Sequence, residues 1–233
     1  MNSKLKIVFF GTPDFVVPIF YALTKEHEVV GVVTAPDSII GRRKILTPSP
    51  VKVSAQNHNI PIFQPEMTNW QLELPESDLF VVAAYGKIIP LSFLSIPQKG
   101  SINIHPSLLP KYRGPSPIQS AILQGDRKTG VTFIKMDEKM DHGAILASQN
   151  LKVESHKVNS ELEQDLADLA AELLIKTIPK FLAGKIKPVE QDHGQATFTR
   201  KFTTADAQVD MKNDSQQTIY NKIRAFTPEP GVW

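Results

Sequence analysis

The chain has 233 residues, enough for one α/β domain with an appendage and a sizeable apolar core. Its 26 basic and 24 acidic residues leave a formal net charge of +2, so any nucleic acid would have to be recognised by a local basic patch. The absence of cysteine excludes disulfides, zinc–thiolate sites and a thiol nucleophile. The apolar run at residues 7–10 is too short for a signal peptide or a membrane span, so we expect a cytoplasmic protein without membrane contact.

Strands and helices are predicted to alternate through the first half of the chain. Residues 6–10 form an apolar run of the kind found in strands buried on both faces, and Val16, Ile19 and Leu23 follow at helical spacing. A second run at residues 29–34 completes a β–α–β unit. Further strands are expected at residues 79–84 and 101–105, and a further helix at 117–124. This order predicts an α/β fold with a doubly wound, mostly parallel sheet.

The following segment breaks the alternation. Residues 131–136 and 144–153 are joined by a short polar turn, which predicts an antiparallel hairpin at the edge of the sheet. Ser160 and Glu163 have the spacing of a capping box at the start of a long amphipathic helix. The pattern then weakens, and we predict a linker that leads to a last helix at residues 215–226.

Two polar side chains lie at the end of a predicted parallel strand. Asn103 and His105 are two residues apart, so they share one face of the strand, at the carboxyl end where open α/β sheets bind their ligands. An amide donor and an imidazole directed at one point can stabilise the oxyanion of a tetrahedral intermediate. The alternative is a polar strand end whose hydrogen bonds are satisfied by neighbouring loops.

Asp141 lies in the turn of the predicted edge hairpin. A carboxylate close to an imidazole favours the protonated ring and can hold a water that relays protons. The alternative is structural, because Asp close to Gly is common in turns. The six histidines show no spacing typical of metal ligands, so we expect no metal site.

Several segments stand out when the sequence is read as a whole. They are NIHPSLLPKYRGPSPIQ at residues 103–119, MDEKMDHG at 136–143, FGTPDF at 10–15, PSPVK at 48–52, AYG at 84–86 and IRAF at 223–226. With these segments the chain resembles the folate-dependent formyltransferase family along essentially its whole length, and the methionyl-tRNA branch of that family in particular.

The resemblance implies a mechanism. The amine of methionine on initiator tRNA attacks the formyl carbon of 10-formyltetrahydrofolate, and Asn103 and His105 hydrogen-bond the resulting oxyanion. Asp141 keeps His105 protonated and relays a proton through water. The resemblance further implies a Rossmann-like catalytic domain over residues 1–184. Residues 185–233 would be a linker and the start of a truncated C-terminal domain, and we expect a monomer.

The resemblance also assigns the folate contacts to two loops. The contact residues would be Ser107, Leu108, Leu109 and Pro110 in one loop, and Gly86, Ile88 and Ile89 in the other. Apolar walls with backbone polar groups suit a flat heterocycle. Without the resemblance, the two leucines would be interpreted as core residues.

A cluster of basic residues occupies a long loop. Taken alone, Arg42, Arg43 and Lys44 would be a solvated run of charge. In the methionyl-tRNA branch, however, the matching loop enters the acceptor stem, and Arg42 aligns with its key arginine. Lys111 and Arg113 are further predicted contacts to tRNA phosphates.

Three positions depart from the residues usual in the family. Arg43 and Lys139 stand where glycine is common, and His142 stands where threonine is common, so local adjustment is expected around the basic loop and around Asp141. Two other functions stay open at this point. The chain could be a sugar-nucleotide N-formyltransferase with the same three catalytic residues, or a catalytically idle fragment that binds folate or tRNA.

Overall fold

The computed structural model describes residues 4–41, 43–66, 70 and 72–233. In this part of the chain, seven strands form one sheet in the order β5-β2-β1-β6-β7-β8-β9, and two more form a small separate hairpin. The strands are β1 Lys6–Phe10, β2 Glu28–Val33, β3 Ser38–Ile40, β4 Ile45–Thr47, β5 Ile62–Phe63, β6 Leu79–Ala83, β7 Ser101–His105, β8 Lys128–Lys135 and β9 Ile145–Lys152. From β5 to β7 the pairs are parallel, and β7, β8 and β9 pair antiparallel. The predicted, mostly parallel sheet with an antiparallel edge hairpin is confirmed.

The order of the strands places a crevice in the middle of the sheet. The chain runs outward from β1 to β5 on one side, and from β6 to β9 on the other. The direction of winding therefore switches between β1 and β6. In open α/β sheets, ligands bind outside the carboxyl ends of the strands at such a switch point.

Helices cover both faces of the sheet. They are α1 Val17–Glu26, α2 Pro50–Asn57, α3 Leu91–Leu94, α4 Pro117–Leu123, α5 Asn159–Leu182 and α6 Gln216–Ala225. Phe9 packs in the larger core with α1 and α5, whereas Val8 and Phe10 pack in a second core on the opposite face. Alternate residues of β1 thus enter different cores, as expected for a strand buried on both sides. None of the helices that the structure describes combines the length and apolar character needed to cross a bilayer.

The start of α5 differs from the prediction. The helix begins at Asn159, and the Glu161 carboxylate accepts a hydrogen bond from the Val158 backbone N–H (2.9 Å). The predicted pairing of Ser160 with Glu163 was therefore wrong. Glu163 lies partly buried near Asp14, and this burial raises its pKa, to which the Asp14 charge contributes as well. A carboxylate two residues earlier was better placed to reach the first free N–H groups of the helix.

The basic loop contains more regular structure than the sequence indicated. Strands β3 and β4 pair antiparallel across it, with Ser38 opposite Thr47. Helix α2 follows at once, and the Ser49 hydroxyl caps it by accepting from the Lys52 N–H (3.1 Å). Three-residue strands carry too little alternation to be detected by period, which is why the sequence predicted a loop here.

The last fifty residues lie against the main body. Val189 forms an antiparallel bridge with Ile145, and Phe198 forms a parallel bridge with Arg113. Helix α6 packs against α4, and Ala225 is buried in the larger core. The predicted last helix at residues 215–226 is confirmed, with Ser215 as its N-cap. The predicted division of the chain at residue 184 stays a prediction.

Candidate active site

Asn103 and His105 lie on β7 at the carboxyl edge of the sheet. The predicted strand has the predicted bounds, and His105 is its last residue, opposite Thr132 of β8. His105 is only 4% exposed, so its ring is held in the interior of the protein, while Asn103 is half-buried. The spacing of two residues places both side chains on the same face, as the sequence predicted.

The Asp141 carboxylate meets both of these side chains. Its Oδ1 accepts a hydrogen bond from the Asn103 amide (3.1 Å) and lies 3.6 Å from His105 Nδ1. The second distance is too long for a direct hydrogen bond but suits an ion pair with a protonated ring. The structure thus brings together the three predicted residues around one carboxylate oxygen. Their catalytic role stays a prediction.

The His105 ring is fixed from its other side. Its Nε2 lies 2.8 Å from the backbone carbonyl oxygen of Tyr112. A carbonyl oxygen can only accept, so Nε2 must carry a proton. In the neutral ring, Nδ1 is then the atom that can take up a further proton, and it is the atom that faces Asp141. The carbonyl of Tyr112 therefore selects the tautomer that this arrangement needs.

The turn around Asp141 is tightly built. Asp141 has a φ of 50°, in the left-handed region that Asp tolerates better than most residues. Gly143 follows two residues later, and a Cβ at that position would lie 1.8 Å from the carbonyl oxygen of Lys135. Only glycine fits here without moving the turn away from the end of β8.

Three supporting residues of this turn were not recognised in the sequence as contacts of Asp141. The Gly114 N–H donates to Asp141 Oδ2 (2.8 Å), and Gln191 donates to the Asp141 carbonyl (3.0 Å). Arg113 in turn donates to Gln191. Gln191 lies fifty residues after Asp141 in a stretch without pattern, and no local signal pointed to it. Arg113 and Gly114 lie in the segment at residues 103–119, but the sequence does not indicate that they support the Asp141 turn.

The two predicted folate loops follow neighbouring parallel strands. Residues 107–110 come directly after β7, where Ser107 is fully buried and the Leu109 N–H donates to the Thr132 hydroxyl (3.1 Å). Residues 86–89 follow β6, where Ile89 is buried but Ile88 is 85% exposed. Because β6 and β7 are adjacent and parallel, both loops open onto the same edge of the sheet as His105. Leu108 and Pro110 are half-buried and Gly86 is exposed.

The predicted tRNA contacts differ in their placement. Arg42 lies outside the described residues, and its neighbours Arg43 and Lys44 are exposed in the turn of the β3–β4 hairpin. Lys111 is half-exposed but pairs with the Asp126 carboxylate (2.7 Å). Arg113 is 4% exposed and is not on the surface that an RNA could reach.

The unusual residues near Asp141 form contacts of their own. His142 Nδ1 donates to the Asp137 carboxylate (2.7 Å), and its ring stacks on that of His193 with centroids 4.0 Å apart. The Lys139 N–H donates to the other carboxylate oxygen of Asp137 (2.9 Å). Within the described residues, no group of three or more His, Asp and Glu side chains is arranged to hold a metal ion.

Comparison with known proteins identifies the family to which the chain belongs. The formyl transferase family model matches residues 5–178. The methionyl-tRNA formyltransferase of Staphylococcus epidermidis (strain ATCC 12228) is 44% identical over 97% of this chain and 74% of its own length. That of Bacillus cereus (strain ATCC 14579) is 42% identical over the same shares of both chains.

Solved structures share the fold at lower identity. A 4-N formyltransferase from Francisella tularensis superposes with a TM-score of 0.73 at 18% identity, over 97% of this chain and 91% of its own. HypX from Aquifex aeolicus, in complex with tetrahydrofolic acid, gives 0.70 at 20% identity over 99% of this chain and 36% of its own. At this identity they support the architecture alone. The family match and the closer relatives decide the classification: this chain belongs to the formyl transferase family, alongside the methionyl-tRNA formyltransferases that it resembles.

Proposed function

We propose that this protein transfers the formyl group of 10-formyltetrahydrofolate to the amino group of methionine on initiator tRNA. The acceptor is inferred from relatives of that name, which are 42–44% identical over 97% of the chain. The chemistry rests on one observation, the meeting of Asn103, His105 and Asp141 around a single carboxylate oxygen. All the residues assigned to the reaction lie in one chain, so the proposal requires no second copy.

In the proposed reaction the oxyanion is stabilised by Asn103 and His105. The methionyl nitrogen forms a bond to the formyl carbon, and the carbonyl oxygen takes up the displaced electron pair. The Asn103 amide nitrogen carries two N–H groups, of which one already binds Asp141. The other can donate to the oxyanion, together with the Nδ1–H of the protonated His105 ring, which lies too far from Asp141 for a direct hydrogen bond. Donors held in place before the reaction avoid the cost of reorganising water around the new charge.

Asp141 is assigned the movement of the proton. The attacking amine must lose a proton, and the folate nitrogen that leaves must gain one when its bond to the formyl carbon breaks. The Asp141 carboxylate is mostly buried and lies beside His105, so it can hold the ring in its protonated form. It can also bind a water that lies between the attacking amine and the leaving folate nitrogen. Proton transfer by a positioned group contributes about 10²–10⁴-fold to a rate.

The folate is expected against the loops that follow β6 and β7. Ile88 supports this placement, because a large apolar side chain that is 85% exposed beside a polar site suits a surface that a flat ring covers. Ser107, Leu108, Leu109 and Pro110 would bound the opposite side, with Gly86 and Ile89 shaping the first loop.

The tRNA is expected on the β3–β4 hairpin. Arg43 and Lys44 are exposed there, next to exposed Ile39, Ile45 and Leu46. Basic side chains can bind phosphates while apolar ones pack against sugars and bases. Arg42 would contribute from the same turn, and Lys111 from the loop beside the active site.

The acceptor is tested by offering alternatives to the purified protein. With 10-formyltetrahydrofolate as donor, charged initiator tRNA should be formylated, and an amino-sugar nucleotide should not. Transfer to the sugar nucleotide alone would replace the proposal with a sugar N-formyltransferase. Binding of folate and tRNA without any transfer would show an idle binding protein instead.

A further inference from the structure

A buried pair of polar side chains connects the Asp141 turn to the rest of the protein. Gln191 donates to the carbonyl oxygens of Asp141 and Gly143, at 3.0 and 2.8 Å. Its own carbonyl oxygen accepts from Nε and Nη2 of Arg113, at 3.2 and 2.7 Å. Gln191 is 5% exposed and Arg113 is 4% exposed, so these bonds form away from bulk water.

The chemistry of the pair fixes its direction. A guanidinium group has donors and no acceptor, so Gln191 must point its oxygen at Arg113. Its two N–H groups are then directed at the turn, where they bind the carbonyls on either side of His142. An alternative orientation of the amide would place N–H against N–H and oxygen against oxygen. The orientation of the Gln191 amide is therefore set by the Arg113 donors on one side and the carbonyl acceptors of the turn on the other.

The backbone beside Arg113 holds the same turn at a second point. Gly114 donates its N–H to Asp141 Oδ2, at 2.8 Å. Arg113 is itself anchored, because its N–H donates to the Thr197 carbonyl (2.8 Å) and its carbonyl accepts from Thr199 (2.7 Å). The Asp141 backbone is thus bound by Gln191, its carboxylate is bound by Gly114, and Arg113 connects the two. These contacts help to hold the left-handed φ of 50° at Asp141, a conformation that costs free energy in residues other than glycine.

A third contact keeps the guanidinium in place. Arg113 Nη2 donates to His193 Nδ1 (2.8 Å), and the His193 ring stacks on His142 of the same turn. The segment around residues 191–193 therefore contacts the turn both through hydrogen bonds and through ring stacking. This segment lies beyond residue 178, where the match to the family model ends.

We propose that Arg113 and Gln191 are positioning residues for formyl transfer, which hold the Asp141 carboxylate at its distance from His105 and Asn103. This inference rests on the proposed function and deepens it. The sequence predicted Arg113 as a tRNA contact, but its side chain is buried, and the positioning role requires neither residue to contact a substrate. A displacement of about 1 Å in a catalytic group can lower a rate about 100-fold, so loss of the pair should act on the chemical step rather than on binding.

The decisive variant is Gln191→Glu. A carboxylate in this place still accepts from Arg113, now as an ion pair, but it can no longer donate to the carbonyls of Asp141 and Gly143. We expect kcat to fall about 10–100-fold, while the KM for folate and the KM for tRNA stay close to wild type. The thermal midpoint should fall by a few degrees, because two buried carbonyl groups lose their donor. The matched control is Gln195→Glu, an exposed glutamine four residues later whose side chain donates a hydrogen bond to Asp192. It should leave all four quantities unchanged.

The outcomes separate a positioning role from a structural one. Wild-type kcat in Gln191→Glu would overturn the inference, and so would a loss of kcat that is matched by an equal loss in Gln195→Glu. If Gln191→Glu does not fold, Arg113→Lys can be used, because it keeps the positive charge but removes the paired Nε and Nη2 donors. A fall in kcat at unchanged KM would then support the inference. Unfolding of both variants would show that the pair holds the fold rather than the turn, which also overturns it.

The same experiment keeps the inference distinct from the proposed function. If wild-type protein formylates charged initiator tRNA but Gln191→Glu does so equally well, the positioning role fails and the function stands. If wild-type protein transfers formyl to no tRNA, the function itself fails, whatever the variants do.

Discussion

The Asp141 turn, which joins β8 to β9, and the turn that joins β3 to β4 are both short connections between antiparallel strands. They differ in burial and in the number of hydrogen bonds that hold them. The Asp141 side chain is 11% exposed, and Asn103, Gly114 and Gln191 all donate hydrogen bonds to this residue. On the hairpin, Ile45 and Leu46 are more than half exposed, beside the exposed Arg43 and Lys44. The difference follows from the two proposed tasks. Proton transfer requires an atom fixed to a fraction of an ångström, whereas a large partner is bound by many exposed side chains.

The hairpin is held mainly at its base. Lys52 Nζ binds both carboxylate oxygens of Asp37 (2.7 and 2.8 Å) and the Gln64 side chain (3.0 Å). Hydrogen bonding from Lys52 lowers the pKa of Asp37, with Gln64 adding to the effect. Lys52, the last residue of the PSPVK segment, thus anchors the segment that leads into strand β3.

The largest expected difference in kcat is between two glycine-to-alanine substitutions, one in the Asp141 turn and one in the β3–β4 hairpin. Gly143→Ala would bring a Cβ to 1.8 Å from the Lys135 carbonyl oxygen, so the Asp141 turn must move. We expect kcat to fall about 100-fold or more. Gly41→Ala meets no described atom within 4 Å and strains only its own positive φ of 72°, so it should change the KM for tRNA and not kcat. Steady-state kinetics with both substrates measures the difference, and similar kcat values in the two variants would remove the contrast.

A smaller effect should come from the anchor of the hairpin. If Lys52 acts by holding Asp37, then Lys52→Met and Asp37→Asn should each raise the KM for tRNA severalfold, with the KM for folate unchanged. If Lys52 acts instead as a phosphate contact, Asp37→Asn would lower the KM for tRNA, because it removes a negative charge beside a basic surface. The sign of the Asp37→Asn effect therefore decides between the two roles.

Arg42 should influence tRNA binding to a similar or lesser degree. This residue lies outside the described part of the chain, and its role rests on the sequence. Arg42→Ala should weaken tRNA binding and reduce the slope of log K against log salt by about 1, the value for one lost phosphate contact. Folate binding should not change. A loss of both affinities would point to a folding defect rather than to a lost contact.

The smallest effect is expected at a carboxyl group outside both regions. Burial, with a contribution from the Asp14 charge, raises the pKa of Glu163. The folded protein thus favours the protonated acid, and this contribution to stability is full below the pKa of the unfolded chain and is lost as the pH rises through the raised pKa. Glu163→Gln should therefore raise the thermal midpoint at neutral pH, with the gain vanishing in acid, while kcat stays unchanged. A gain that persists in acid would rule out this explanation.

The central strands of the sheet were easier to predict from the sequence than the short strands and the helix ends. The bounds of β7 and the pairing of β8 with β9 could be predicted because each strand is five to eight residues long and is bounded by polar or turn residues. Strands β3 to β5, with two or three residues each, and the start of α5 were not predicted correctly because short elements depend on their tertiary surroundings.

In the candidate site, too, some residues could be predicted from the sequence and others could not. Asn103, His105 and Asp141 stood in recognisable segments, so their residues could be selected before their geometry was known. The Tyr112 carbonyl, the Gly114 N–H and the Gln191 amide act through backbone groups or across fifty residues or more of chain. The burial of Arg113 could not be predicted either, since arginine side chains are mostly exposed.

In the proposed mechanism, the Asp141 carboxylate moves the proton in a site where Asn103 and His105 bind the oxyanion. Single-turnover formyl transfer to charged initiator tRNA, compared between wild type and Asp141→Asn, tests it most directly because product release does not affect the rate. We expect a rate at least about 100-fold lower in Asp141→Asn, with folate affinity and thermal midpoint unchanged. A rate close to that of wild type would contradict it.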